Sequence, residues 1–188
     1  MKETVYIIHG YTSSSNAEWF PWMKEKLNKK GINVTVFDMP NSDAPVARQW
    51  IEHLDSNIEK ITENTHFIGH SLGCITLLRY LEKQTDNTKF GGIILASGFI
   101  KKNPKYPIFD PFIKEDLNMN KIIKMTQNRI VFTAPNDQYV PYDFSCELAQ
   151  LFKANLITIE NGGHFIGQEG FYEFPQLYDE LCRMMKEE

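Results

Sequence analysis

The sequence predicts an α/β fold, a three-layer α/β/α sandwich with a mostly parallel six-stranded sheet at its centre. Short apolar segments alternate along the chain with longer segments whose apolar positions recur at helical spacing. The short segments are almost continuously apolar, which is typical of parallel strands covered on both faces. The 188 residues are 42% hydrophobic and 13% aromatic, so we expect one domain, residues 1–188, with a substantial core.

The strands and helices are predicted to alternate in chain order. The predicted strands cover residues 4–9, 33–37, 65–68, 92–96, 129–133 and 155–159. The predicted helices cover residues 19–28, 46–61, 72–83, 143–152 and 174–186. The first helix should end at Lys29-Lys30-Gly31, because basic residues favour a helix C-terminus and glycine accepts a left-handed cap.

One segment, at about residues 100–126, is too long for an ordinary connection. It contains Pro104, Pro107 and Pro111, followed by an amphipathic stretch at 117–125. Two interpretations stay open, a short lid-like insertion over a functional site and a structural crossover with one helix.

Composition excludes several classes of partner. The net charge is -4 and no cluster of Lys and Arg is present, so nucleic acid is not an expected partner. No apolar run approaches the roughly 20 residues of a membrane span, and the N-terminus runs into a strand without a signal-peptide pattern. We therefore expect a cytoplasmic protein without a membrane partner. The three scattered cysteines are expected to be free thiols.

The strongest motif is Gly69-His70-Ser71-Leu72-Gly73, which lies between a predicted strand and a predicted helix. A serine on such a sharp turn adopts a strained backbone conformation, and Gly69 and Gly73 relieve the crowding on either side. The turn exposes the serine hydroxyl above the sheet edge. This context predicts a nucleophile elbow with Ser71 as nucleophile, and with it a minimal α/β-hydrolase fold.

A serine nucleophile needs an imidazole base. Of the five histidines, His164 follows two glycines after the last strand, where this topology delivers its histidine, and we predict it to be the base. A solvated helix face is expected for His53 and a core or sheet-surface position for His66. His9 and His70 are expected to shape the site.

The carboxylate that orients the base should follow the fifth strand. Asp137 occupies that position, although turn geometry alone also favours an Asp there. Asp110 and Asp143 are lesser candidates, and helix capping explains the second.

Two backbone N–H groups are predicted to form an oxyanion hole. The N–H of Leu72 lies at the start of the helix that follows the nucleophile. The N–H of Tyr11 follows Gly10 in the loop after the first strand. The serines at 13–15 leave open a second interpretation, a polar surface loop.

A substrate pocket is harder to predict than the catalytic groups. Its candidate residues are either pocket or core, and they are His70, Tyr106, Ile108, Phe109 and Phe112. No spacing of His, Cys, Asp and Glu resembles a zinc site, and no glycine-rich loop resembles a dinucleotide fingerprint. We expect no metal and no cofactor.

Further segments occur in a fixed order along nearly the whole chain. They are Ile7-Ile8-His9-Gly10-Tyr11, Trp19-Phe20-Pro21-Trp22, Asp38-Met39-Pro40-Asn41, the elbow, Gly91-Gly92-Ile93-Ile94-Leu95, Ser97-Gly98-Phe99 and Gly162-Gly163-His164-Phe165. With them the chain resembles the compact serine hydrolases of the YdeN and retinoblastoma-binding protein nine family, members of the α/β-hydrolase superfamily.

The resemblance implies a sheet without the first strands of the full superfamily fold and a triad of Ser71, Asp137 and His164. It also implies hydrolysis of small esters or amides. Asn136 departs from the family pattern, in which an acidic or small residue often precedes the triad Asp.

The expected function is therefore that of a serine hydrolase acting on small carboxylic esters, with amides and thioesters as further candidates. A small acyl ester is the expected partner, and no pattern indicates an oligomeric state. Two alternatives remain, a catalytically inactive binding protein with this fold, and an acyltransferase or perhydrolase that uses the same triad.

Overall fold

The sheet is the central layer of the structure, a computed structural model that describes residues 2–114 and 116–185. Within these residues six strands lie in the order β2-β1-β3-β4-β5-β6, and each neighbouring pair is parallel. The predicted α/β class is confirmed, with a sheet that is parallel throughout rather than mostly. The strands are β1 (Thr4–Ile8), β2 (Asn33–Phe37), β3 (Thr65–His70), β4 (Gly92–Ala96), β5 (Arg129–Thr133) and β6 (Asn155–Thr158).

Helices form the two outer layers. They are α1 (Phe20–Lys29), α2 (Ala47–Asn57), α3 (Leu72–Glu82), α4 (Met119–Ile123), α5 (Tyr142–Phe152) and α6 (Pro175–Met185), with 3₁₀ helices at Pro107–Ile113 and Gly167–Glu169. Apolar residues of α1 and α6 pack with Val5, Ile7 and Ile94 on one face of the sheet. Apolar residues of α2 to α5 pack with Ile8 and Leu95 on the other face. Successive side chains of each strand point to opposite faces of the sheet, so the strands contribute to two separate cores.

Helix α2 is shorter than the 46–61 predicted for it. The side chains of Ser56 and Asn57 donate to the carbonyls of Glu52 and His53, at 2.8 and 2.7 Å. A side chain that bonds back to the carbonyl four residues earlier competes with the helical backbone and weakens the last turns of the helix. Ile58 then continues in an extended conformation and buries its side chain in the core.

The segment 100–126 crosses from β4 to β5 as packed structure. Phe112, Ile122 and Met125 are buried in the core on the face of the sheet that α2 to α5 cover. This packing is that of a structural crossover, and Tyr106 and Phe109 at its start border the pocket described below.

The strand order places a topological switch point between β1 and β3. From β1 the chain moves outward to β2, then returns past β1 to β3 and continues in the other direction. In parallel sheets a crevice forms at such a point, beyond the carboxyl ends of the strands. The loops after β1 and β3 carry Tyr11 and Ser71, so both approach this crevice.

Candidate active site

Ser71 lies on the turn between β3 and α3, with φ 52° and ψ −121°. Its backbone N–H donates to the carbonyl of Ala96 at 2.9 Å. A Cβ on Gly73 would stand 2.2 Å from the carbonyl oxygen of Ile8, and one on Gly69 would stand 2.9 Å from Cα of Cys74. Only glycine fits at either position, and the strained serine conformation is the one an elbow requires.

His164 and Asp137 form a buried pair. Nδ1 of His164 donates to Oδ2 of Asp137 at 2.8 Å. The backbone N–H groups of Tyr139 and Val140 donate to Oδ1 of the same carboxylate, each at 2.9 Å. Burial acts to raise the pKa of Asp137, but these hydrogen bonds and the nearby imidazole outweigh it, so the pKa lies below its usual value.

Ser71 and His164 line the same pocket, which has a volume of about 270 Å³. Since Nδ1 of His164 donates to Asp137, Nε2 carries the lone pair in the neutral ring. Within the described residues Ser71 Oγ and His164 Nε2 form no direct hydrogen bond, and such bonds are often long before substrate binds. The pocket wall includes five aromatic side chains, Tyr11, Phe99, Tyr106, Phe109 and Tyr139.

The loop after β1 passes close to Ser71. A Cβ on Gly10 would stand 2.9 Å from Cβ of Ser71 and 3.4 Å from its Oγ, so the backbone of Gly10 lies against the serine. In the described part of the chain, the backbone N–H groups of Tyr11 and Leu72 donate to no protein acceptor. Both residues therefore offer a donor beside Ser71, as the oxyanion-hole prediction requires.

Three of the five candidate pocket residues line the pocket, and two do not. Tyr106, Phe109 and His70 line the pocket, whereas Ile108 and Phe112 do not. Tyr106 and Phe109 are three residues apart and share one face of the 3₁₀ helix, while Ile108 points away and is 40% exposed. Phe112 lies one turn further on, 1% exposed, with its ring 5.8 Å from that of Trp50 in the core.

His70 connects the elbow to the loop that carries His164. Its Nε2 lies 2.8 Å from the carbonyl oxygen of His164 and must be the donor, because a carbonyl only accepts. Nδ1 therefore carries the lone pair, and it is buried without a partner among the described residues. Burial beside Trp19 and Phe20 lowers the pKa of His70 to about 3, so the ring is neutral.

The remaining histidines lie outside the pocket lining. His9 donates from Nδ1 to the carbonyl of Gly10 at 2.8 Å and accepts from the N–H of Met39 at 3.0 Å, which ties the loop after β1 to the loop after β2. His66 is 2% exposed and donates to Glu3 at 2.9 Å, so its position in the core is as expected. His53 is half-buried rather than fully solvated, in edge contact with Phe37 at 5.8 Å between ring centroids.

The alternative carboxylates do not contact His164. Asp110 pairs with Lys102 at 3.3 Å, and Asp143 lies in the first turn of α5.

In the described part of the chain no group of three or more His, Cys, Asp and Glu side chains could hold a metal ion. No helix there is both long and apolar enough to cross a membrane. Cys74 and Cys182 are buried free thiols, and Cys146 is half-buried.

Sequence reasoning missed three residues that hold the loop carrying His164. Glu169 accepts from the backbone N–H of His164 at 2.6 Å, and Asn136 accepts from that of Gly163 at 2.9 Å. Glu18 accepts from the N–H of Gly167. Asn136 thus replaces the expected acidic or small residue with an amide acceptor. No spacing in the sequence predicts these contacts. Those of Glu18 and Asn136 join distant segments of the chain, and that of Glu169 lies within an irregular loop.

Comparison with known proteins identifies the family. A family model described as "Serine hydrolase" matches residues 5–183. The chain belongs to this family of serine hydrolases. Among curated relatives, this serine hydrolase is 40% identical to YdeN of Bacillus subtilis (strain 168) over 188 residues, which cover 100% of this chain and 99% of YdeN. It is 23% identical over 170 residues to the serine hydrolase RBBP9 of Rattus norvegicus, covering 89% of this chain and 84% of that protein.

Solved structures confirm the fold of this serine hydrolase. The crystal structure of the ydeN gene product of B. subtilis matches with a TM-score of 0.96 at 39% identity, covering 99% of this chain and 100% of that one. Est1E of Butyrivibrio proteoclasticus with ferulic acid bound matches with a TM-score of 0.73 at 16% identity, covering 97% and 88%. The minimal α/β-hydrolase fold predicted from the elbow is therefore confirmed, as is the predicted family.

Proposed function

We propose that this serine hydrolase cleaves small carboxylic esters through an acyl-enzyme on Ser71, with His164 as base and Asp137 as the group that orients it. One observation carries the proposal. A serine with φ 52° at a strand-to-helix turn shares its pocket with a histidine whose Nδ1 donates to a buried aspartate. The strained serine conformation is that of a nucleophile elbow, and a histidine fixed in this tautomer can accept the serine proton.

The proposed reaction has two steps. Nε2 of His164 takes the proton of Ser71 Oγ as the oxygen attacks the ester carbonyl, and the N–H groups of Tyr11 and Leu72 stabilise the oxyanion. His164 then gives that proton to the leaving alcohol, and the acyl group stays on Ser71. In the second step His164 activates a water molecule, which releases the acid and restores the serine. Asp137 keeps Nδ1 protonated and stabilises the imidazolium in both steps.

Pocket size and lining support small substrates. A volume of about 270 Å³ lies near the lower end of the range for small-molecule sites. Aromatic residues from the loop after β1 and from the crossover supply an apolar wall, with Tyr11 and Phe109 in edge contact at 5.3 Å between ring centroids. Est1E, which shares the fold, binds ferulic acid, an aromatic acid. Esters with small or aromatic acyl groups are therefore the first candidates.

Activity-based labelling tests the proposal. We expect a fluorophosphonate probe to label the native protein on Ser71, because the probe reacts with an activated serine. Ser71→Ala should abolish labelling and lower the hydrolysis of p-nitrophenyl esters of graded acyl length by at least about a thousandfold. Ser56→Ala, an exposed serine at the end of α2, is the matched control and should leave both unchanged.

The outcomes separate the alternatives. A protein that is folded but unlabelled would support a binding role without turnover and overturn the proposal. Labelling accompanied by acyl products of an added alcohol or of peroxide, in place of free acid, would instead indicate an acyltransferase or perhydrolase.

A further inference from the structure

The pocket beside Ser71 carries one acidic side chain, the two histidines His70 and His164, and neither Lys nor Arg among the described residues that line it. The acidic residue is Glu18. His70 also lines the pocket, but burial keeps it neutral. Nearby lysines do not offset the charge, since Lys101 and Lys102 pair with Glu147 and Asp110 outside the lining. The carboxylate of Glu18 is therefore the one acidic charge of the described lining that a cationic ligand would meet.

Glu18 has a strained backbone conformation and a carboxylate that is only partly hydrogen-bonded. The residue lies in the loop between β1 and α1, half-buried, with φ 53°. A non-glycine residue in this left-handed region is strained, and such strain clusters at functional sites. One carboxylate oxygen accepts from the N–H of Gly167, and the other has no hydrogen-bond donor among the described residues. The second oxygen is free to accept from, or pair with, a ligand.

Ser13 supplies an independent observation on the same loop. Its hydroxyl is buried and has no hydrogen-bond partner among the described residues, although the residue lines the pocket. A buried hydroxyl without a partner is uncommon in native structures and calls for a ligand or a water molecule. Tyr11, Tyr106 and Tyr139 line the same pocket, and the face of an aromatic ring can attract a cation.

We propose that Glu18 and Ser13 form a subsite that selects esters bearing an ammonium group. The carboxylate provides the opposite charge, the hydroxyl oxygen provides a dipole, and the aromatic wall accommodates the alkyl groups on nitrogen. The inference rests on the proposed esterase function and adds the class of substrate. It predicts that a cationic ester is preferred over a neutral ester of the same shape.

Two pairs of isosteric esters test the preference on either side of the scissile bond. The leaving-group pair is acetylcholine and 3,3-dimethylbutyl acetate. The acyl pair is the p-nitrophenyl esters of 4-(trimethylammonio)butanoate and 5,5-dimethylhexanoate. In at least one pair, kcat/KM at low salt should be about twofold to fivefold higher for the cation, as expected for one partly exposed charge pair. Because salt screens the interaction, the ratio should approach one in 1 M salt.

Variants identify the charge responsible. Glu18→Gln keeps an acceptor for Gly167 but removes the charge, so the ratio between cationic and neutral ester should fall to about one. Ser13→Ala should lower the same ratio by a smaller factor. Glu160→Gln removes an exposed charge outside the pocket lining and should leave the ratio unchanged.

Binding without turnover separates this inference from the proposed function. Calorimetric titration of the intact chain with choline and with 3,3-dimethylbutan-1-ol should show tighter binding of choline, and Glu18→Gln should remove the difference. Equal binding and equal kcat/KM for cation and neutral isostere, or a preference that survives in Glu18→Gln, would overturn the inference. If the fluorophosphonate probe does not label the protein but choline still binds more tightly, only the proposed chemistry is overturned.

Discussion

Ser71 and His164 reach one pocket from two regions that are built differently. The elbow of Ser71 extends β3, whose six residues are all buried between β1 and β4. The loop of His164 follows β6, an edge strand in which Asn155 and Leu156 are exposed. Close backbone packing fixes the elbow, whereas hydrogen bonds from backbone N–H groups to polar side chains fix the histidine loop.

The difference shows in how each region would respond to a single substitution. At the elbow, glycines allow backbone approaches that no other residue tolerates, so its geometry depends on local sequence. At the histidine loop, the backbone N–H groups of Gly163 and Gly167 donate to side chains from other segments, and that of His164 donates to Glu169 further along the same loop. A change in the first region should damage folding, and a change in the second should damage catalysis while the fold persists.

The largest expected effect is on the histidine side, for Asp137→Asn. An amide at this position can donate to Nδ1 of His164 and so favour the wrong tautomer. We therefore expect kcat for a p-nitrophenyl ester to fall by about 10⁴-fold while the pocket stays formed. Asp110→Asn, which removes a carboxylate from the crossover outside the pocket lining, is the control and should retain full activity.

A fall in kcat of less than tenfold in a folded Asp137→Asn protein would contradict the orienting role. Circular dichroism and thermal unfolding of both variants distinguish that outcome from a loss of structure.

At the elbow, Gly73→Ala should act on stability first. The new Cβ would stand 2.2 Å from the carbonyl oxygen of Ile8 and 2.6 Å from that of His9, so β1 and α3 must separate. We expect a cost of about 3 kcal/mol in unfolding free energy, at the upper end of the usual range for overpacking, with loss of activity. Denaturant unfolding and ester hydrolysis measure the two effects.

Gly31→Ala is the matched control for Gly73→Ala. Gly31 has φ 81°, and a Cβ added there would meet no atom within 4 Å, so only backbone strain opposes the change. It should cost about 1 kcal/mol and leave activity intact. Equal losses in the two variants would show that close packing does not hold the elbow.

The same contrast explains what the sequence predicts and what it does not. The elbow could be located because its strand, glycines and helix are consecutive, and the order of strands then pointed to Asp137 and His164. Glu18, Asn136 and Glu169 could not be found from the sequence. They accept from backbone N–H groups 149, 27 and 5 residues away, and these separations follow neither a helix nor a strand period. The pocket candidates Ile108 and Phe112 lie outside the lining, because apolarity alone does not distinguish a pocket wall from a core.

His70 joins the two regions, and its substitution should have an intermediate effect on turnover. His70→Phe keeps a ring between Trp19 and Phe20 but removes the donor to the carbonyl of His164. We expect kcat to fall about tenfold, equivalent to about 1.4 kcal/mol, with little change in KM. His70→Gln, which retains an N–H donor, should lose less, and the reverse order would rule out a positioning role for this bond.

A further expected effect is a dependence of stability on pH that arises from the strand leading to the elbow. Burial lowers the pKa of His66 to about 4, against an ordinary value of 6.5, so the native protein keeps this ring neutral where the unfolded chain protonates it. The unfolded state therefore binds more protons between pH 6.5 and about 4. As pH falls through this window, unfolding free energy should decrease by about 1.4 kcal/mol per unit for this residue.

His66→Gln should reduce that slope by about 1.4 kcal/mol per pH unit, because its side chain does not titrate. Part of the slope should remain, since burial also lowers the pKa of His70, to about 3. Asp137 contributes in a different window. Its lowered pKa means that its stabilising contribution is complete above the ordinary carboxyl range and is lost only as pH falls through the native value. Urea unfolding at pH 7, 6, 5 and 4 therefore separates the two regions. A native protein whose stability is flat from pH 6.5 to 4 would show that His66 is not kept neutral by the fold.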